Sequence, residues 1–157
     1  MIVSKLAVVR VRGSVDVREG VKDTLKMMNL TRPNYCTIVD DDPSYKGMLE
    51  KVKEKVTWGP IESEVLRELL RKRGEYVDGR SVTDEEISKV SPYDTIAELA
   101  DAVVEGGFEL SEIEDLKVIF RLHPPKKGYE DVSRSFNHGG AMGNRGKGIN
   151  DLILRML

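Results

Sequence analysis

The apolar positions fall into two different rhythms. Residues 2–11 are dense in valine, leucine and isoleucine and read as a buried strand, ended by Gly13-Ser14. Asp16 is placed as a helix N-cap with Glu19 three residues on. Val21, Leu25 and Met28 then follow at i, i+4 and i+7, one face of a helix. Thr31-Arg32-Pro33-Asn34 breaks the chain, and residues 35–39 predict a second strand. Asp42 suits an N-cap and Pro43 the first helical position, where a missing N–H costs nothing. Leu49, Val52 and Val56 supply the stripe of that helix. Val56-Thr57-Trp58 predicts a third strand, stopped by Gly59-Pro60. Residues 1–60 thus read as a complete unit of strand, helix, strand, helix, strand.

Beyond residue 60 the pattern turns helical. Residues 64–73 predict a charged helix with Val65, Leu66, Leu69 and Leu70 inward. Thr83 and Glu86 have capping-box spacing before a short helix carrying Ile87 and Val90. Ser91-Pro92 opens a further helix with Ile96, Leu99, Ala100 and Val103 as its buried face, closed by Gly106-Gly107. Residues 116–122 predict a fourth strand, ended by Pro124-Pro125. Residues 123–148 are rich in glycine and poor in apolar side chains, so they are expected to lack fixed structure without a partner. Leu152, Ile153 and Met156 predict a last helical turn or two. The chain therefore divides into a core, residues 1–60, and a helical extension with a basic tail, residues 61–157.

The 157 residues are enough to bury a core without disulfide or metal. Cys36 is the one cysteine, which fits a reducing compartment, and its apolar setting makes it a packing residue. No apolar run approaches the ~18 residues of a membrane span, and residues 1–10 read as a strand and not as a signal peptide. The net charge is −2, which does not by itself favour a nucleic-acid partner. Its distribution says more. Residues 1–82 carry 16 basic and 13 acidic side chains, residues 83–116 carry one and 11, and residues 117–157 carry eight and three. A polyanion is repelled by the middle and attracted by the tail. The acids of the middle read as a solvated face, or as a surface turned away from RNA or toward a basic protein neighbour.

Catalytic patterns are weak. Asp40, Asp41 and Asp42 are consecutive and cannot easily face one ion. His123, His138 and Cys36 are too scattered for a zinc site. Asp131, Ser133, Ser135 and His138 hold the residue types of a hydrolase triad without a Gly-x-Ser-x-Gly elbow. The run of residues 139–148, Gly-Gly-Ala-Met-Gly-Asn-Arg-Gly-Lys-Gly, lacks both fixed positions of a P-loop. Its glycines and cations nonetheless suit phosphate.

A stronger constellation surrounds it. Arg121, His123, Lys126, Lys127, Arg134, Arg145 and Lys147 are interleaved with Tyr129, Phe136 and His138. Cations neutralise phosphates, rings stack on unpaired bases, and Asn137 and Asn144 can hydrogen-bond to base edges or ribose. The same residues also fit a flexible, solvated loop.

At this point the chain resembles a known family. Val-Arg-Val-Arg-Gly (residues 9–13), Thr-Leu-Lys-Met-Met-Asn-Leu (24–30) and Asp-Pro-Ser-Tyr-Lys-Gly-Met-Leu-Glu-Lys-Val (42–52) are similar to the bacterial short form of large-subunit ribosomal protein thirty. Phe-Arg-Leu-His-Pro-Pro-Lys-Lys-Gly-Tyr and Gly-Gly-Ala-Met-Gly-Asn-Arg-Gly resemble the archaeal long form, which is related to eukaryotic large-subunit protein seven. The long basic N-terminal extension of the eukaryotic form is absent, which points to the archaeal one. The resemblance implies an α+β fold: a small three-stranded antiparallel sheet with two helices, a ferredoxin-like β-α-β-α-β core, plus a helical C-terminal extension and a Gly-rich basic tail. It implies a structural, non-catalytic protein of the cytoplasmic 50S ribosomal subunit. The implied partners are large-subunit rRNA and neighbouring ribosomal proteins, with no cofactor, metal, membrane or small-molecule substrate. Carried over by motif, the RNA contacts of the core are Arg10, Arg12, Lys26, Arg32, Lys46 and Lys51. The departure is charge, since many ribosomal proteins are strongly basic. Two other readings stand beside this one: an acidic protein–protein adaptor, and a hydrolase using His138 with Asp131 or a nearby serine.

Overall fold

The computed structural model describes residues 5–13, 15 and 17–157. The first segment runs β1 (Lys5–Arg10), α1 (Glu19–Met27), β2 (Tyr35–Asp40), α2 (Pro43–Val52) and β3 (Val56–Pro60). The second runs α3 (Ser63–Arg73), α4 (Asp84–Val90), α5 (Ile96–Val104), β4 (Ile119–Arg121), β5 (Asp131–Ser135), β6 (Gly140–Asn144) and α6 (Gly148–Met156). Short 3₁₀ turns lie at Leu110–Glu112 and Phe136–His138.

Strand β1 lies in the middle, antiparallel to both β2 and β3, with Val8 opposite Thr37 on one side and Trp58 on the other. A sheet of three strands would leave the outer edges of β2 and β3 unpaired, a template for unwanted pairing. The second segment covers both. Strand β4 pairs antiparallel with β2, and β6 pairs parallel with β3, Thr57 opposite Gly143. Strand β5 then pairs parallel with β6. The expected three-stranded sheet is therefore corrected to six strands in the order β4-β2-β1-β3-β6-β5.

Both faces of this sheet are covered. Leu6, Val8, Val39, Val56 and Trp58 pack under α1 and α2 with Leu25, Met28, Leu49 and Val52. Ala7, Val9, Cys36 and Phe120 face the other way, against α3, α5 and α6. All six residues of β1 are buried, including Lys5, whose ammonium is held by Asp40 and by Glu109 at 2.6 Å.

Most element boundaries follow local chemistry. The Asp42 carboxylate accepts the Tyr45 N–H at 2.9 Å, with Pro43 opening α2 as expected. The Asp16 cap expected for α1 lies outside the described residues; the residue before the helix is Arg18, with no side-chain cap. Val56 belongs to β3 and not to the helix stripe, and β3 continues through Gly59 and Pro60. Thr83 caps α4, but Glu86 turns to Arg80 at 2.9 Å instead of closing the box. Ser91-Pro92 follows α4 and opens no helix; α5 begins at Ile96, capped by Thr95. Gly106, at φ 83°, closes α5.

Candidate nucleic-acid interface

One end of the sheet gathers four chain segments. The N–H groups of Val11 and Arg12 both donate to the Lys55 carbonyl, at 2.9 and 3.2 Å. The Asn34 N–H donates to the Arg10 carbonyl at 2.7 Å, and the Leu122 N–H to the Asn34 carbonyl at 3.2 Å. The Tyr129 hydroxyl donates to Asn34 Oδ1 at 2.6 Å. These bonds set Arg12, Arg32, Lys53, His123, Lys126 and Lys127 around one rim, all exposed. Among the described residues Arg12, Arg32, Lys126 and Lys127 have no ion-pair partner. A groove of about 410 Å³ opens beside them, with Arg12, Lys53 and Glu54 on one wall and Ser133 and Arg134 of β5 on the other. At the other end of the sheet Asp40 and Glu109 close around Lys5.

The tail is held to this end by two buried or half-buried arginines. Arg155 Nη1 donates to the carbonyls of Lys126 and Gly128, each at 3.1 Å, so the turn that presents the two lysines is fixed from behind. Lys127 and Gly128 take φ values of 69° and 76° at its tip. Arg145 is only 4% exposed. Its Nε donates to Thr57 Oγ1 at 2.9 Å, and its Nη2 to the Ala141 carbonyl at 2.9 Å and Glu130 Oε2 at 3.0 Å. Thr57 in turn donates to the Gly143 carbonyl at 2.8 Å. Arg155 reaches the other Glu130 oxygen at 3.6 Å. Burial alone would raise the Glu130 carboxyl; hydrogen bonds from its own N–H and from Arg145, with both cationic charges, outweigh it and hold the group below its ordinary range. The Arg145 guanidinium carbon also lies 5.0 Å from the centroid of the Phe136 ring.

The residues named from sequence separate into distinct groups. Arg10 and Arg145 are corrections, since both are buried. Arg10 donates to the carbonyls of Leu30 at 2.8 Å and Arg12 at 3.0 Å, so its charge organises loops instead of facing solvent. Tyr129 is half-buried against Ala141 and Met142, its phenol engaged with Asn34 and pushed up by burial. Lys46 pairs with Asp41 at 3.2 Å, Arg121 with Glu75 at 2.9 Å, and Arg134 with Asp131 at 3.5 Å. Lys26 is exposed in the last turn of α1. Lys51, in the last turn of α2, lies over Gly20 of α1. His123, Phe136, Asn137, His138, Asn144 and Lys147 are exposed. The glycine-rich tail itself is a correction. It forms β5 and β6, because Arg145 and Thr57 replace the missing apolar contacts with long-range hydrogen bonds.

The catalytic alternatives find no geometry. Ser133 Oγ donates to Asp131 at 2.6 Å, and among the described residues no hydrogen bond joins His138 to either. Asp40, Asp41 and Asp42 turn to Lys5, Lys46 and the Tyr45 N–H respectively. No group of His, Cys, Asp and Glu among the described residues could hold a metal ion. No described helix is long and apolar enough to cross a membrane.

Comparison with known proteins decides the family. Residues 6–56 match the family Ribosomal protein L30p/L7e. The chain is 49% identical over 148 residues to the large ribosomal subunit protein uL30 of Methanopyrus kandleri, covering 93% of this chain and 99% of that one. It is 47% identical over 150 residues to the uL30 of Methanobrevibacter smithii and 45% to that of Archaeoglobus fulgidus, covering 96% of this chain and 98% of each. The chain belongs to the L30p/L7e family.

In this L30p/L7e chain the residues that sequence reasoning missed are those that position the cations. Glu130, Arg155, Asn34 and Thr57 carry no motif of their own. Lys53 had a weak signal, as the middle member of the basic run Lys51, Lys53 and Lys55. Arg10 had a clear one: it shares the parity of Leu6 and Val8 along β1 and therefore points into the layer under α1 and α2.

Proposed function

We propose that this L30p/L7e protein lays the Arg10-to-Arg12 end of its sheet on large-subunit rRNA. The protein is a structural constituent of the large ribosomal subunit in the cytoplasm and not an enzyme, and its partners are rRNA and neighbouring ribosomal proteins. The observation that carries the reading of the surface is a rim of cations, Arg12, Arg32, Lys126 and Lys127, that have no ion-pair partner among the described residues and are backed by fixed turns. Phosphate binding draws on exposed cations held in place, since a cation already paired with a carboxylate must first break that pair. Lys46, Arg121 and Arg134 are therefore secondary contributors, and Arg10, Tyr129 and Arg145 act from behind the surface. Lys26, Lys51, His123, Asn137, His138, Asn144 and Lys147 extend the contact along the same molecule.

The acids of residues 83–116 fit this orientation. Asp101, Glu105, Glu112 and Glu114 are exposed on α5 and the turns that follow it, and they read as the solvated side. Residues 1–60 serve as the ferredoxin-like core, and residues 61–157 as an extension that closes both sheet edges and adds the second half of the RNA rim. The family match lies within the first of these.

The reading is tested by titrating deproteinised large-subunit rRNA with the full chain over a series of KCl concentrations. Each phosphate contact contributes about 0.7–0.9 to the slope of log affinity against log salt. Replacing Arg12, Arg32, Lys126 and Lys127 by Gln is expected to weaken binding and flatten that slope. An unchanged slope would remove this end of the sheet from the interface.

A further inference from the structure

Phe136 is out of place as a surface residue. It sits in the short turn Phe136–His138, between β5 and Gly139-Gly140, with 38% of its area exposed. Its ring is not idle. One face lies against Arg145, whose guanidinium carbon is 5.0 Å from the ring centroid. The tip of the ring lies near Gly148, where a Cβ would fall 3.5 Å from Phe136 Cζ. The guanidinium behind the ring is fixed in three directions, by Thr57, Ala141 and Glu130. With the guanidinium over one face, Phe136 still leaves 38% of its area open to solvent.

From this geometry we infer that Phe136 is a stacking platform for one unpaired rRNA base, with Arg145 as its positioning residue. The inference rests on the rRNA reading above and deepens it. A flat apolar face in water is the surface on which a splayed base gains most, and stacking is tolerant of base identity because every base has a π face. The cation held on the far side keeps the ring flat and in register. The neighbours supply what a stacked nucleotide needs: Asn137 and His138 are exposed in the same turn, and Lys147 is exposed at the start of α6 without an ion-pair partner among the described residues. Gly139, at φ 82°, turns the chain immediately after His138.

Stacking and phosphate contact are separated by salt. The test compares the parent chain with Phe136→Ala, Phe136→Leu and Phe136→Trp, binding deproteinised large-subunit rRNA over a KCl series. Phe136→Ala is expected to lose about 5- to 150-fold in affinity, the range for one base–aromatic stack, by the same factor at every salt concentration. Phe136→Leu keeps the packing on Arg145 and Gly148 but has no aromatic face, and is expected to lose nearly as much. Phe136→Trp is expected to bind at least as tightly as the parent. If Phe136→Leu binds like the parent, the ring only packs and the platform is refuted. If Phe136→Ala flattens the salt slope, the ring arranges cations and does not stack, which also overturns the inference. Parental binding by all three Phe136 variants, with the Arg12, Arg32, Lys126 and Lys127 replacements still weakening it, refutes the platform and leaves the interface standing. If those four replacements also leave binding unchanged, the interface fails with it.

Discussion

The Arg145 guanidinium donates to the Glu130 carboxylate at 3.0 Å, and on this joint the glycine-rich segment closes against the rest of the sheet. Arg145 brings Thr57 of β3 and Ala141 of β6, and Glu130 brings Arg155 of α6. A segment with few apolar side chains is thus ordered by a polar network in which each side chain has at least one partner, although the buried Arg155 Nε makes no hydrogen bond among the described residues.

Arg145→Ala is expected to destabilise the fold by about 2–4 kcal/mol, because it leaves Thr57, the Ala141 carbonyl and a partly buried carboxylate without their donor. Arg145→Lys should recover only part, since an ammonium cannot reproduce the fork to three acceptors. Urea unfolding followed by Trp58 fluorescence gives the total. Hydrogen exchange at residues 140–143 should show the tail opening first.

The same joint predicts a dependence on pH. The folded Glu130 carboxyl lies below its ordinary value, so the unfolded chain binds the proton more readily. Its contribution is complete above about pH 4.3, the ordinary value of a glutamate, and is lost as pH falls through the folded value. Protection at residues 140–143, taken relative to the intrinsic exchange rate at each pH, should therefore fall on acidification below about pH 4.3. Glu130→Gln should remove that component of the pH profile.

Two glycines are required by close approach. A Cβ at Gly59 would sit 1.9 Å from the Gly146 carbonyl oxygen, and one at Gly140 2.0 Å from that of Arg134. Gly59→Ala and Gly140→Ala are each expected to cost about 1–3 kcal/mol, the range for overpacking a fitted site, or more where the backbone cannot move. Gly47, inside α2, has nothing within 4 Å of a built Cβ. Gly47→Ala should instead stabilise by about 0.5–1 kcal/mol through helix propensity and a less free unfolded chain. Thermal unfolding of the three variants checks the sign of each.

Burial pushes the Cys36 thiol up to about 12. It is expected to resist thiol reagents at pH 8 in the native protein and to react at the rate at which the chain unfolds. Because this thiol is raised, its stabilising effect is full below about pH 8.5 and is lost as pH rises toward 12. Labelling rates measured across a urea series should extrapolate to the global unfolding constant. Rapid labelling in water would show that β2 opens locally.

Much of the fold was legible because local chemistry decided it. The apolar run of β1 lacks alternation, and the strand is indeed covered on both faces. The stripes of α3, α5 and α6 and the caps at Asp42 and Thr83 also stand as read. What was not legible depends on distant partners. Strand β6 is made of residues with low strand propensity, and its pairing with Thr57 and Trp58 is set by Arg145 and Gly59, not by its own sequence. Ser91-Pro92 reads as a helix start, yet Asp84 accepts the Ile96 N–H at 2.8 Å and α5 begins there. At the interface, residue type identified cations but not their use. Arg10 lies inside β1, under α1 and α2, and is buried, whereas Arg12 lies beyond the end of the strand and is exposed.

The most direct test of the account is competition for a place in the large subunit. Equal amounts of the parent chain and the variant with Arg12, Arg32, Lys126 and Lys127 replaced by Gln are supplied during subunit assembly. The large-subunit fraction of a sucrose gradient is then analysed by mass spectrometry for the two forms. The parent is expected to fill the subunits and the variant to remain in the unbound fraction, although it unfolds at the parental temperature. Equal incorporation of the two would contradict the account.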